Sequence, residues 1–538
     1  MEVTVETGFC RFSGVVISAL CGIGAGCSAP PRCSAAFSAR WPGFGCSIHG
    51  ASECIFRFRV SPIYAAKRTK PRLRRVAVAT VASMIKHVLA WVCTTAALVG
   101  CGGADSSTTT ITGGGVSGPV SGQEVGGPFF QLPNNLSVTV DNGPMNSFSL
   151  GVANILYASV TLCAPGSQTN CQTIDHVQVD TGSVGLRVLA SKVGQLGLPP
   201  VELDPSSTTG LTGRAHECYP FVIGGLWGPT AVADVQLGEQ WAMALPVQLI
   251  QDDPGAAVQA PIDCSQAVNG QVLSSASMLG SNGILGIGSV TLDCGELCRI
   301  GNYSGTYVQY YSCPPNALSA LKCSPSAVGV HQQVFNPVAA LNRDKQGVAD
   351  NNGVVLVLPP VTGLGASRVQ GELIFGINTR ANNVLSKDAS RIYLGVDWFN
   401  RPDSYLNITT KYKDLTIYNS YLDTGTNGLF FTDNAVTRCQ GSTWYCPPSR
   451  LQQTAILSDG DKPLNGSLNV QFNIGNADAL FSTSNTAFGD LAGTYDPLMG
   501  STASFSWGLP FFYGRRVFLS IWKQSGAEGG PWYSWASN

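Results

Sequence analysis

An all-β, β-rich chain folded into two lobes is what this sequence predicts. Charged residues make up only 12% of its 538 positions while Gly (62) and Pro (31) are abundant. The apolar residues fall in short alternating runs between turn residues, the signature of strands rather than helices. The length exceeds one average domain, and the 44% apolar content is ample for large cores. One pattern occurs twice: VQVDTGSVGLRVLAS at 177–191 and YNSYLDTGTNGLFFTD at 418–433. Each alternating run carries an Asp into a Thr-Gly turn and leaves on another apolar stretch. Asp is depleted in strands, and an ionised carboxylate among apolar neighbours is costly unless hydrogen bonds or a second titrating group compensate it. Two such positions point to a pair.

The segments before these stretches differ in composition. Residues 1–83 hold 11 Lys/Arg against 3 Asp/Glu and six cysteines, and they sustain no hydrophobic period. They are expected to be a spurious or disordered extension, because a self-sufficient export signal begins at the internal Met84. In residues 84–100, Lys86 and His87 form a positive head, followed by an apolar stretch too short to span a bilayer. Leu98-Val99-Gly100-Cys101 resembles the lipobox of bacterial lipoproteins. That resemblance implies a diacylglycerol on Cys101 and a lipid-anchored place in the bacterial cell envelope, on the outer membrane or facing the periplasm. Residues 101–127 are Gly/Ser/Thr-rich and read as a flexible tether. An N-terminal lobe over 128–365 and a C-terminal lobe over 366–538 follow.

After Cys101, 20 Lys/Arg face 30 Asp/Glu, a net charge of −10. An acidic body argues against nucleic acid or an anionic membrane surface as its partner. Ten cysteines remain there, an even number that suits disulfides in an exported protein. Short spacings suggest the pairs Cys163–Cys171, Cys294–Cys298, Cys313–Cys323 and Cys439–Cys446, leaving Cys218 for Cys264. His176, His216 and His331 do not supply the paired Cys/His spacings of a zinc site, and His216 is expected to be an ordinary exposed loop residue. Neither metal nor cofactor is expected.

Asp180-Thr181-Gly182-Ser183 and Asp423-Thr424-Gly425-Thr426, embedded in apolar strands, resemble the two active-site motifs of pepsin-like aspartic peptidases. SNGILGIG at 281–288 resembles the apolar-Gly segment that crosses under the first catalytic loop, and FSWGLPFFYGRRVFLSIW at 505–522 resembles its second-lobe equivalent. Gly286 follows Asp180 by 106 residues and Gly508 follows Asp423 by 85, so the same order occurs twice. Residues 333–359 with 370–378 resemble the helix and strands preceding an interlobe sheet. The similarity covers roughly 129–522. It implies a bilobal pepsin-like double-psi barrel fold with a cleft between the lobes, a monomer acting on a peptide or protein substrate, and a place in a bacterial lipoprotein family of uncharacterised function.

The chemistry explains the residue types. Hydrolysing an amide without metal or covalent nucleophile needs one carboxylate to activate water and a second acid to protonate the carbonyl oxygen and then the amine. Two close carboxylates cannot both ionise, so they share a proton and hold acid and base together; aspartic proteases are the established example. Asp180 and Asp423 are the catalytic candidates. Gly182 and Gly425 permit close backbone approach, Ser183 and Thr426 are placed to donate to the outer carboxylate oxygens, and the resemblance implies that Thr181 and Thr424 interlock the loops.

Three departures stand out. Arg187 occupies the place of a family Trp. The hairpin CYPFVIGGLWGPTAVADVQLG at 218–238 resembles the flap, with Gly224-Gly225 expected at its tip and Tyr219 or Phe221 as its aromatic residue. Ser506-Trp507-Gly508-Leu509 is less apolar than its counterparts and lacks the acidic residue that often follows the Gly. Two functions compete: an envelope-anchored aspartic endopeptidase, or a non-proteolytic binding or structural lipoprotein of the same fold.

Overall fold

In a computed structural model the described residues are 11–12, 15–16, 124–126, 132–144, 152–203, 213–253, 258–267, 271–300, 308–314, 323–395, 407–460, 467–494, 504–522 and 531–537. The export segment at 84–100 and Cys101 lie outside them, as does nearly all of the 1–83 extension and of the tether. A short pair of strands, Arg11–Phe12 and Val15–Val16, belongs to a separate unit spanning 1–113. No helix among the described residues is long and apolar enough to cross a membrane.

The body is all-β, with one sheet of 16 strands, one of 7, and only short helices among the described residues. A single local arrangement occurs in both halves. In the first, strand Cys171–Asp180 enters a turn and leaves as Val184–Leu189, and strand Gly283–Ile287 inserts between the two. It runs parallel to the entering strand, with Gly286 opposite Asp180, and antiparallel to the leaving one, with Gly286 opposite Gly185. In the second, Leu415–Leu422 enters, Leu429–Phe430 leaves, and Ser504–Trp507 inserts with Trp507 opposite both Leu422 and Leu429. An inserted strand stops the turn from closing as a hairpin, which frees the turn's N–H groups for side chains. Gly288 N donates to Ser183 O (2.8 Å) and Leu509 N to Thr426 O (2.8 Å), closing each loop from below.

Apolar alternation fixes these strands. Val177, Val179, Leu186, Val188, Leu285 and Ile287 are fully buried beneath the first turn, each side chain stabilising the fold by about 1.5–3 kcal/mol. Under the second turn the core is aromatic. Phe505 stacks on Phe431 (4.6 Å between centroids) and on Trp507 (4.2 Å), whose Nε1 donates to Thr410 Oγ1 (3.0 Å). Ser506 therefore costs that segment no packing, because Phe505 and Trp507 hold the inward face.

The halves are joined by antiparallel strands from both ends of the body. Asn135–Val140 pairs with Arg368–Phe375, that with Gly353–Leu358, then Arg515–Ser520, then Trp532–Ser537. The helix implied for 333–359 is not formed. Asn336 Oδ1 accepts from Val338 N and Ala339 N while its Nδ2 donates to Gly288 O and Val290 O, so the chain makes one tight turn and moves on. The four short-spaced disulfides, Cys163–Cys171, Cys294–Cys298, Cys313–Cys323 and Cys439–Cys446, are present, and so is the remaining pair, Cys218–Cys264.

Candidate active site

The two Asp-bearing turns meet face to face. Asp180 is buried and Asp423 partly exposed, their side chains are hydrogen-bonded to one another, and Gly182 is open to solvent. Within each turn the carboxylate is held on both oxygens. Gly182 N donates to Asp180 Oδ1 (2.8 Å) and the Ser183 hydroxyl to Oδ2, while Gly425 N donates to Asp423 Oδ1 (2.7 Å) and Thr426 Oγ1 to Oδ2 (2.6 Å). The two glycines work across the pair. A Cβ on Gly182 would lie 2.6 Å from Asp423 Oδ1, and one on Gly425 would lie 2.5 Å from Asp180 Oδ1, so each turn lacks a side chain where the other's carboxylate sits.

Beneath the pair the threonines cross. Thr181 N donates to Thr424 Oγ1 and Thr424 N to Thr181 Oγ1, both at 3.0 Å. Each hydroxyl in turn donates to the opposite strand, Thr181 Oγ1 to Leu422 O (3.2 Å) and Thr424 Oγ1 to Val179 O (2.7 Å). Both threonines are buried, so these four bonds are shielded from water and each is worth about 1 kcal/mol. Gln178 adds a fifth tie between the halves, Nε2 to Gly425 O at 3.1 Å.

Electrostatics follow from this closeness. Burial, then the charge of Asp423, push the Asp180 carboxyl up to about 8 against the lowering pull of the Ser183 and Gly182 bonds. The pair therefore keeps one shared proton across neutral pH, the state in which an acid and a base stand side by side.

Arg187 is completely buried. Its NH1 donates to Val184 O (2.6 Å), next to the turn, and its NH2 reaches Glu217 Oε1 (2.7 Å) and Asp293 Oδ2 (3.1 Å). Gln309 Nε2 bonds both carboxylates and the Tyr310 hydroxyl donates to Asp293. One cation faces two buried acids, so desolvation and the nearby Glu217 push the Asp293 carboxyl well above its ordinary range. The Tyr219 ring lies over the guanidinium, 3.7 Å from ring centre to Cζ. Tyr219 is therefore the hairpin aromatic set against the turn, and Phe221 packs on Tyr219 (5.1 Å).

The hairpin differs from expectation at its tip. Strands Arg214–Phe221 and Gly224–Leu237 are joined by Val222-Ile223, 73% and 62% exposed, with Gly224 opposite Phe221 and Gly225 opposite Pro220. The glycines instead make room for a neighbouring segment: Gly225 N donates to Gln271 O (2.9 Å), Leu273 N to Gly225 O (2.8 Å), and a Cβ on Gly224 would meet Gln271 O at 2.7 Å. The other edge is paired with Tyr310–Cys313, and Cys218 is bonded to Cys264. His216, expected in an exposed loop, is instead buried in this hairpin 5.4 Å from Trp227, and desolvation lowers it to about 4.

Sequence reasoning missed Gln178, Glu217 and Asp293. Gln178 had a signal, a polar residue two before Asp180 on the same strand face. Glu217 and Asp293 had none, since only the fold brings them to Arg187. A cavity of about 400 Å³ lined by Asp141, Tyr157, His176, Arg368 and Glu372 opens elsewhere, and neither Asp180 nor Asp423 lines it; the paired carboxylates, not cavity size, mark the site. Cys439, Cys446 and Asp478 cluster within 4.8 Å, but the two sulfurs are bonded to each other and offer no thiolate.

No curated protein matches the chain. Among solved structures it is similar to an aspartic proteinase from Irpex lacteus, at 15% identity and a TM-score of 0.40, over 75% of this chain and 97% of that one. Residues 131–535, most of the chain and both Asp-bearing turns, match the family described as "Protein of unknown function (DUF3443)", and the chain belongs to that family.

Proposed function

We propose that this chain is an aspartic endopeptidase that hydrolyses peptide bonds with water activated by Asp180 and Asp423. One observation carries the reading: two carboxylates in mutual hydrogen-bond contact, each held on both oxygens by its own turn and tied through Thr181 and Thr424. In the shared-proton state the neutral acid donates to the carbonyl oxygen of the scissile bond while its partner takes a proton from the attacking water. The tetrahedral intermediate then collapses as the amine leaves protonated, and the pair regains its starting charge. Because the proton is kept to about pH 8, cleavage extends into the neutral range and falls off above it. An extended peptide is the substrate.

The same reading places the protein in the bacterial envelope on a lipid attached to Cys101, supported by the Leu98–Cys101 tetrapeptide alone. Incubation of the body with a peptide library from pH 3 to 9, with and without a statine-containing inhibitor, tests the activity. Inhibitor-sensitive cleavage supports the proposal; no cleavage at any pH leaves a binding or structural lipoprotein with an inherited carboxylate pair. Fatty-acid analogue labelling of wild type and Cys101→Ala tests the anchor, and equal labelling of both overturns it.

A further inference from the structure

The last strand of the chain, Trp532–Ser537, reaches under the carboxylate pair. Tyr533 lies on it opposite Leu519 and Ile392, is 5% exposed, and points its hydroxyl at the seam between the halves. The hydroxyl donates to Leu422 O (3.3 Å), the carbonyl immediately before Asp423, and lies against the Ser289 side chain, just past the inserted strand of the first half. Leu422 O is thus gripped twice, by Thr181 Oγ1 from the first half and by Tyr533 from the terminal strand. Ser289 is itself anchored, its carbonyl accepting from Trp522 N (2.8 Å). The titratable groups that face the Tyr533 hydroxyl are Asp423, from the second turn, and Asp180, from the first.

We propose that Tyr533 is a positioning residue for the carboxylate pair: by bridging Leu422 and Ser289 it fixes the turn that carries Asp423 against the half that carries Asp180. The inference rests on the peptidase reading for its kinetic consequence but not for its geometry. A two-carboxylate site depends on keeping two repelling groups at hydrogen-bond separation, and a side chain bonded to Leu422 O and packed against Ser289 beneath them opposes their parting. Desolvation and the two nearby carboxylates raise the tyrosine above its ordinary range, so the hydroxyl remains a donor at every pH where the site would work.

The test compares Tyr533→Phe and Ser289→Ala, which remove the bridge from either side, with Tyr445→Phe, which deletes a buried hydroxyl bonded to Phe431 O (2.6 Å). Two readouts are used: kcat and KM on the best library peptide across pH, and the pH at which the stability difference between each protein and its Asp180→Asn derivative appears. With the bridge gone the carboxylates part, repel less, and release their shared proton earlier. The Tyr533→Phe and Ser289→Ala proteins should therefore lose roughly three- to ten-fold in kcat with KM unchanged. Their alkaline limb and stability crossover should both move down by on the order of half a pH unit. Tyr445→Phe should lose stability alone. Unchanged kcat and crossover in Tyr533→Phe, or the same change in Tyr445→Phe, overturns the proposal. If the wild type cleaves nothing, the peptidase reading fails while the crossover still decides the bridge.

Discussion

A methyl group at position 425 would sit 2.5 Å from Asp180 Oδ1 and 3.0 Å from Asp423 Oδ1, closer to the first than a carbon can approach an oxygen. Gly425→Ala must therefore push the carboxylates apart. It is expected to lower peptide cleavage at least about 100-fold while costing about 1–3 kcal/mol of stability, a contrast that thermal melting and activity measured together will reveal. Asp180 gives a second prediction. Its folded-state titration is raised to about 8 from an ordinary value of 3.8, so the native state holds a proton that the unfolded chain has released. Its stabilising contribution is complete below about pH 4 and is lost as pH rises towards 8. Asp180→Asn cannot ionise and escapes that loss. Its melting temperature should match the wild type near pH 4 and exceed it increasingly up to pH 8. A constant difference across that range would contradict the shared proton.

At the scale of elements, the hairpin 214–237 is held to the first turn by charge as well as by backbone pairing. Arg187, Glu217 and Asp293 come from the leaving strand, the hairpin and the loop beyond Gly288, and Tyr310 from the strand on the hairpin's edge. Removing the cation strands two buried acids, so Arg187→Met is expected to cost about 3–5 kcal/mol. Asp293 is held towards its neutral form by desolvation. Asp293→Asn should thus cost less than about 1 kcal/mol at neutral pH and become relatively more stable as pH rises, which denaturant titrations at pH 6 and 9 will measure. This cluster also shows where sequence reading stops. Asp180 and Asp423 were legible because each breaks an apolar alternation in the same way. Arg187 was visible only as an oddity, because its partners lie 30 and 106 residues away and no local pattern joins them. The hairpin tip was misplaced for a related reason: Gly224-Gly225 looks like a turn, but the close approach of 271–273, a long-range contact, is what needs glycine there.

For the whole molecule, duplication made the fold readable. The order of Asp turn and apolar-Gly segment occurs twice, and both copies fold as a strand inserted between the arms of an open turn. The all-β class and four of the five disulfides also followed from alternation and short spacing, the fifth being the pair left over. The terminal strand's place under the pair did not, because nothing around Tyr533 distinguishes it from any other aromatic strand until the sheet brings it back to Leu422. The most direct test of the account is the cleavage rate of wild type, Asp180→Asn and Asp423→Asn on one peptide at one pH, with the fold of each verified by melting. The account predicts cleavage by the wild type and a loss of at least about 1,000-fold in each variant with the fold intact, because either substitution removes the acid–base partnership; persistence of cleavage in either variant would contradict it.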